Sequence, residues 1–253
     1  MVMVGGEFKE LLNEVLKYLK RFTQAQTVDL DMLLGQIDIL EVNGLRVVRK
    51  RFSSEVGILK WLPPSIFYKA SYPFTINPLE RFRRELSFFN LGSGRFYSVP
   101  RLYEVDEGNL IIVREYVDGR KLSYDRESCE LLSKALAEIH SRGYVLGDVK
   151  PSNFVINDRG IWVIDAEQAV VTSNEVLFGW DLILTMFFAS YKYVVDVENF
   201  KDFIKSFIRG YLGSGGKVLW VKSMFSIKNL GIALLIPPHT LKVLMEELSE
   251  FTT

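Results

Sequence analysis

The sequence predicts an α+β fold: a strand-rich first half with a small antiparallel sheet, followed by a mostly helical second half. Two hairpin signals and one periodicity predict it. Asn43-Gly44 separates two apolar-containing runs, 37–42 and 45–52, and both turn residues tolerate positive φ. A second hairpin is expected from runs 101–105 and 110–117 around Asp106-Glu107-Gly108-Asn109. Beyond residue 120 the apolar residues recur at helical spacing, first as Leu131, Leu132, Ala135, Leu136 and Ile139. They recur again as Phe200, Phe203, Ile204, Phe207, Ile208 and Tyr211. At 253 residues the chain is long enough for two small lobes around a cleft.

Composition narrows the class. Hydrophobic residues make up 48% and charged residues 25%, as expected of a globular chain, and the formal net charge is zero. A neutral chain carries no direct signal for nucleic acid or for an acidic membrane surface. The single Cys129 excludes an intrachain disulfide framework. No apolar run approaches a membrane span, since residues 182–189 have only the length of a buried helix. With no secretory pattern at the start, the expected location is a reducing, cytoplasmic one.

Taken in order, residues 7–22 place Phe8, Leu11, Leu12, Val15, Leu16 and Leu19 on one face of an amphipathic helix. A strand over 28–34 precedes the first hairpin. Residues 53–76 follow as an insertion with Trp61 and two proline-containing turns, read either as a cap or docking element for the cleft or as a packed surface loop. Asn77-Pro78 then supplies an N-cap and a proline at the first helical position, opening a helix over 79–89. Phe82, Leu86 and Phe89 form its apolar stripe, and Glu85 lies on the same side while Glu80 lies off it. A carboxylate on a buried stripe needs a cationic partner. The helix through Ile139 ends at Arg142-Gly143. Strands 153–157 and 161–165 flank the turn Asp158-Arg159-Gly160, and further helices are expected at 181–191, 200–211 and 241–251. Gly213, Gly215 and Gly216 break the chain between the last two.

The chemistry concentrates in Gly147-Asp148-Val149-Lys150-Pro151-Ser152-Asn153, with Ile164-Asp165 after the short hairpin. Asp148 and Asn153 keep a D-x-x-x-x-N spacing, and the hairpin returns Asp165 beside Asn153. Phosphoryl transfer needs this kind of set, because it rests on positioning and charge neutralisation. One carboxylate stands by the attacking hydroxyl; an amide and a second carboxylate hold Mg²⁺ on nucleotide phosphates.

This stretch resembles the catalytic loop and metal-binding aspartate of the protein-kinase superfamily. The resemblance implies a bilobal protein-kinase-like fold, with residues 1–116 as an N-terminal lobe, 117–253 as a helical C-terminal lobe, and ATP with Mg²⁺ between them. It implies that Asp148 orients and deprotonates the acceptor hydroxyl, that Lys150 leans toward the transferred phosphate, and that Asn153 and Asp165 are the metal ligands. His140 matches the histidine of the L-x-x-L-H-x-x-G pattern and is read as structural. Asp181 resembles the aspartate that hydrogen-bonds the catalytic-loop backbone. Val47-Val48-Arg49-Lys50 resembles the strand whose lysine holds the phosphates. Lys50 is the residue so assigned, with Glu85 as its partner, although Arg49 faces the other side of the strand and the choice turns on register. Glu115-Tyr116-Val117-Asp118-Gly119 resembles the hinge between kinase lobes, and Glu115 and Val117 mark the stretch that would read adenine through the backbone.

The departures are also informative. No G-x-G-x-x-G is present, and only Gly35, in Leu34-Gly35-Gln36, stands where the phosphate-covering loop is expected. Asp165-Ala166-Glu167-Gln168-Ala169 replaces D-F-G and, with Gly147-Asp148 and the small size, is similar to RIO kinases and to the small kinase of the KEOPS tRNA-modification complex. Gly147 also occupies the place of the arginine that, in switchable kinases, pairs with an activation-loop phosphate. The resemblance thus implies an atypical Ser/Thr protein kinase using ATP and Mg²⁺ on a protein or small hydroxyl acceptor, with control from a regulatory protein partner. Two other readings stand beside it, a small-molecule kinase of the aminoglycoside or choline type and a nucleotide-binding pseudokinase scaffold.

Overall fold

Strand β1 (Ile37–Val42) and strand β2 (Leu45–Arg51) pair antiparallel from Val42↔Leu45 to Ile37↔Lys50, so two residues make the turn, with Gly44 at φ 77°. The computed structural model describes residues 36–42, 44–53 and 55–252. The expected helix over 7–22, the strand over 28–34, Gly35 and Asn43 lie outside the described residues. Strands β3 (Leu102–Asp106) and β4 (Ile111–Glu115) form the second hairpin, and the sheet order is β1-β2-β4-β3. This small antiparallel sheet with a mostly helical remainder is the α+β architecture of a kinase-like fold.

Helix α1 (Glu55–Phe67) corrects one expectation. Pro63 and Pro64 lie inside it rather than in turns. Each removes an amide donor and disfavours a helix interior by about 3 kcal/mol. Long-range contacts offset that, because Trp61 is buried, stacks on Phe74 with centroids 5.4 Å apart, and donates its indole N–H to Glu167. Helix α2 (Pro78–Leu91) starts as its capping signal predicts, with the Asn77 side chain accepting from the Glu80 amide. It buries Arg81, Phe82, Glu85, Phe88 and Phe89. Phe82 meets Phe52 edge-on at 5.6 Å and packs with Ile112, which fastens the helix to the sheet.

After β4 the chain passes through residues 116–119 to strand β5 (Arg120–Lys121), which pairs with strand β7 (Phe154–Asn157), itself paired with strand β8 (Gly160–Val163). The β7–β8 turn is the two residues Asp158 and Arg159, one shorter than expected, because Gly160 pairs with Asn157 at φ 105°. Helix α3 (Arg126–Ser141) ends at Arg142, with Gly143 at φ 79°. Strand β6 (Tyr144–Val145) pairs with strand β9 (Val170–Val171). Helix α4 (Glu175–Lys192) begins earlier than the expected residue 181, because Asn174 caps it by accepting from the Val176 amide. Helix α5 (Val197–Gly213) packs on α3, and Leu132, Leu136, Ile139, Phe207 and Tyr211 are fully buried in the main core. Short helices α6 (Val218–Lys222) and α7 (Leu230–Ala233) precede α8 (Pro238–Thr252). None of the helices among the described residues is long and apolar enough to cross a membrane.

Candidate active site

Strand alternation decides between the two basic residues of β2. Arg49 stands opposite Asp38 and donates to its carboxylate at 2.8 Å, while Lys50 turns to the other face and is 1% exposed. A buried ammonium is costly unless it is paired. Here its Nζ lies 2.6 Å from Glu85 Oε2, 3.0 Å from Asp165 Oδ1 and 3.5 Å from Glu167 Oε2. Burial alone would lower the Lys50 pKa, but Asp165, Glu167 and Glu85 outweigh it and hold it well above the ordinary range. Glu85 is carried inward by the apolar stripe of α2. Burial pushes its carboxyl up to about 7 against the pull of Lys50, and its Oε1 has no hydrogen-bond partner. Glu80 turns away, to Thr75 and Arg84.

The loop before β7 is locked from beneath. Asp181, on α4, accepts from the amides of Leu146 at 2.7 Å and Gly147 at 2.8 Å. His140 is buried between Tyr211 and Asp181, a structural position as expected. Trp180 donates to the Gly147 carbonyl at 2.9 Å. Gly147 itself has φ 74°, and a Cβ there would lie 2.2 Å from the Tyr72 ring, so no side chain fits. This geometry presents Asp148 upward. Its Oδ2 accepts from Lys150 Nζ and, at 3.0 Å, from Asn153 Nδ2, which also donates to the Asp148 carbonyl at 2.8 Å. Among the described residues nothing donates to Asp148 Oδ1.

Backbone pairing brings the second carboxylate alongside. Phe154 pairs with Val163, and the Ile164 amide donates to the Asn153 carbonyl at 2.9 Å, so Asn153 and Asp165 emerge next to each other. Asn153 spends its Nδ2 on Asp148, which leaves Oδ1 as a neutral oxygen donor. Burial would raise the Asp165 pKa, yet Lys50, Lys60 and Lys150 together hold it well below the carboxylate range. One amide oxygen and one carboxylate are hard donors that suit Mg²⁺, which keeps water and phosphate oxygens for its other positions. Among the described residues no group of three or more His, Cys, Asp or Glu side chains forms a protein-only metal cage. Asn153 and Asp165 thus fit Mg²⁺ as a partner of nucleotide phosphates.

Glu115 ends β4. Its amide donates to the Arg101 carbonyl at 2.8 Å and its own carbonyl accepts from Arg114 at 3.3 Å. Val117 is buried with Val155 and Trp162. Arg114, also buried, donates to the Ile164 carbonyl at 2.9 Å, which ties β4 to the segment carrying Asp165; that segment lies just past β8, which ends at Val163 and not at the expected residue 165.

Sequence reasoning missed Glu167, which is 1% exposed at the centre of a polar cluster. It accepts from Gln36 Nε2 at 2.9 Å, Lys60 Nζ at 2.9 Å, Trp61 Nε1 at 2.6 Å and Arg81 Nη1 at 3.0 Å. Gln168 beside it exchanges hydrogen bonds with the Thr75 backbone, and its carbonyl accepts from the Tyr72 hydroxyl at 2.6 Å. The 53–76 insertion is therefore fastened to the segment that follows Asp165. Arg81 was the available signal, a charged residue four before Glu85 on the buried face of α2 that needs a carboxylate of its own.

No protein-family model matches the chain. It is 27% identical over 150 residues to the KEOPS complex subunit Bud32 of Pyrococcus abyssi, a match covering 54% of this chain and 66% of that protein. A probable serine/threonine-protein kinase BUD32 homolog of Archaeoglobus fulgidus is 24% identical over 138 residues, covering 54% of this chain and 69% of the relative. A probable bifunctional tRNA threonylcarbamoyladenosine biosynthesis protein of Methanothermobacter thermautotrophicus is 32% identical over 88 residues, which are 34% of this chain and 16% of that protein. The first two relatives match over about half of this chain and about two thirds of their own length. In sequence and in fold the chain is similar to the atypical protein-kinase-like superfamily, and its relatives support a kinase-like function.

Proposed function

We propose that the chain is an ATP- and Mg²⁺-dependent phosphotransferase, an atypical Ser/Thr protein kinase. The observation that carries this reading is that Lys50, Glu85 and Asp165 form one cluster, Asp148, Lys150 and Asn153 a second, and that the Ile164–Asn153 backbone bond and the pull of Lys150 on Asp165 join them. Asp148 Oδ2 is occupied by Lys150 and Asn153, which turns Oδ1 toward the acceptor hydroxyl as orienting group and base. Lys150 moves from Asp148 to the transferred phosphoryl group as charge develops there. Glu85 positions Lys50 for the nucleotide phosphates. Mg²⁺ held by Asn153 and Asp165 would neutralise charge on the same phosphates. With the Glu115 amide held by Arg101, the Val117 backbone and the second lone pair of the Glu115 carbonyl are the groups offered to adenine, and the first lobe runs through residue 116 with the second from 117.

The acceptor is a protein bound through a folded surface. One relative is named as a subunit of a complex, and we extend to this chain the expectation of a regulatory protein partner in the cytoplasm. The test is ADP release with ATP–Mg²⁺ alone, with candidate proteins, and with small hydroxyl compounds. Protein-stimulated release that Asp148→Asn lowers roughly 10²–10⁴-fold at unchanged nucleotide affinity is expected. Stimulation by a small hydroxyl compound alone would make the chain a small-molecule kinase. Equal release by wild type and Asp148→Asn would refute catalysis at this site.

A further inference from the structure

Lys50 has three N–H donors and three carboxylates around it, Glu85 at 2.6 Å, Asp165 at 3.0 Å and Glu167 at 3.5 Å. Its side chain is 1% exposed. Among the described residues its hydrogen bonds go to Glu85 and Asp165, and Glu167 adds an ion pair, so a phosphate would share this ammonium with carboxylates. Lys60, on α1, is differently placed. Its side chain is 33% exposed, and its one hydrogen bond is to Glu167 Oε1 at 2.9 Å. Its Nζ also lies 3.8 Å from Asp165 Oδ2, the oxygen that Lys50 does not use. Among the described residues, Glu167 is the one group that its ammonium hydrogen-bonds, which leaves two N–H donors beside Asp165 without a hydrogen bond.

Trp61 connects this lysine to the catalytic loop. Lys60 Nζ lies 4.8 Å from the centre of the indole, and Lys150 Nζ lies 5.5 Å from the centre of the same ring. The indole N–H is bonded to Glu167, the same carboxylate that holds Lys60, so ring and ammonium are oriented together. Lys60 and Lys150 thus both lie against the Trp61 ring, and both act on the Asp165 carboxylate, so an anion beside Asp165 would meet two ammonium groups. The chain has no G-x-G-x-x-G to supply a row of backbone amides to the phosphates. A second lysine is the donor that such a site lacks.

We propose that Lys60 is a second phosphate-binding residue, and that α1 positions the terminal phosphates of the nucleotide where a glycine-rich loop would otherwise do so. This deepens the phosphotransferase reading and rests on it. The inference separates a ligand contact from a structural one. A lysine that only supports Glu167 would, when removed, change stability and the binding of every ligand alike. A lysine that touches the terminal phosphates would discriminate between nucleotides by their phosphates.

The experiment is calorimetric titration of ATP–Mg²⁺ and of adenosine into wild type, Lys60→Gln, Lys60→Met and Lys60→Arg. Lys60→Gln keeps a donor for Glu167 while removing the charge, which guards against a misfolded methionine variant. ATP–Mg²⁺ affinity is expected to fall about 10-fold or more in Lys60→Gln and Lys60→Met, adenosine affinity to stay within about 2-fold, and Lys60→Arg to recover most of the loss. An unchanged ATP-to-adenosine affinity ratio in a folded Lys60→Gln, with wild type binding ATP–Mg²⁺ normally, would overturn the role of Lys60 and leave the phosphotransferase reading standing. Failure of wild type to bind ATP–Mg²⁺ would overturn both.

Discussion

Replacing Glu167 with alanine should destabilise the protein far more than an ordinary carboxylate truncation. The loss is dominated by Arg81, which is completely buried and whose Nε already lacks a partner. Without Glu167, Arg81 retains, among the described residues, only the bond from Nη2 to the Phe52 carbonyl at 2.7 Å. Breaking a buried ion pair from one side costs about 3–5 kcal/mol. Lys60, a third exposed, adds at most about 1 kcal/mol. A second route gives a similar size. Burial would raise the Glu167 pKa, but Lys50, with Lys60 and Arg81, holds it down at about 2 against Asp165. Measured from an ordinary glutamate near 4.3, that is about 3 kcal/mol of stability. For a domain of this size each kcal/mol shifts Tm by about 2–4 °C, so Glu167→Ala should melt about 6–20 °C lower at pH 7. The folded pKa is depressed, so this stability is present above about pH 4.3 and disappears as pH falls toward 2. Melting wild type and variant at pH 7 and pH 3 should therefore show a gap that narrows by about half at pH 3. Combining Glu167→Ala with Arg81→Met should be less damaging than the sum of the two by about 1–3 kcal/mol. A Tm loss under about 2 °C at pH 7, or a strictly additive double variant, would refute the buried cluster as the source of stability.

Two further outcomes test the site. ATP should raise Tm only when Mg²⁺ is present, and Asp165→Ala should abolish that shift; a shift of wild-type size in the variant would remove Asp165 from the metal site. Replacing Thr172 and Ser173 together with alanine should leave phosphoryl-transfer rates within about 2-fold, because Gly147 provides no cation for a phosphate in that segment. A large drop restored by acidic residues at both positions would instead reveal a phosphorylation switch.

Much of the frame was legible because local signals agreed with the packing. Asn77-Pro78 opened α2, the stripe of Phe82 and Phe89 carried Glu85 inward, and each hairpin had its turn residues. The choice between Lys50 and Arg49 was also available. A two-residue turn at 43–44 sets Asp38 opposite Arg49, an opposite-charge cross-strand pair that claims Arg49 and leaves Lys50 for the other face. Helix α1 was not legible, since Pro63-Pro64 argue for a turn and only Trp61, through Phe74 and Glu167, argues otherwise. Glu167 was hidden for the same reason. Its donors come from positions 36, 60, 61 and 81, each at least 86 residues away in sequence, and no local spacing announces them.

The departures from the usual kinase pattern are coupled to one another through residues 60–75. Glycine at 147 leaves room beside the loop that carries Asp148, and Tyr72 fills it so closely that a Cβ would clash. The Tyr72 hydroxyl then holds the Gln168 carbonyl, and the Thr75 backbone holds the Gln168 side chain. Glu167, where a typical D-F-G has its glycine, is buried and needs donors, and Lys60 and Trp61 supply two of them. An insertion that contributes to both sides of Asp165 in this way removes the freedom that a phosphorylation-ordered segment requires. The residues between Asp165 and α4 are instead held by Tyr72 and Thr75 on one side and by the β6–β9 pair on the other.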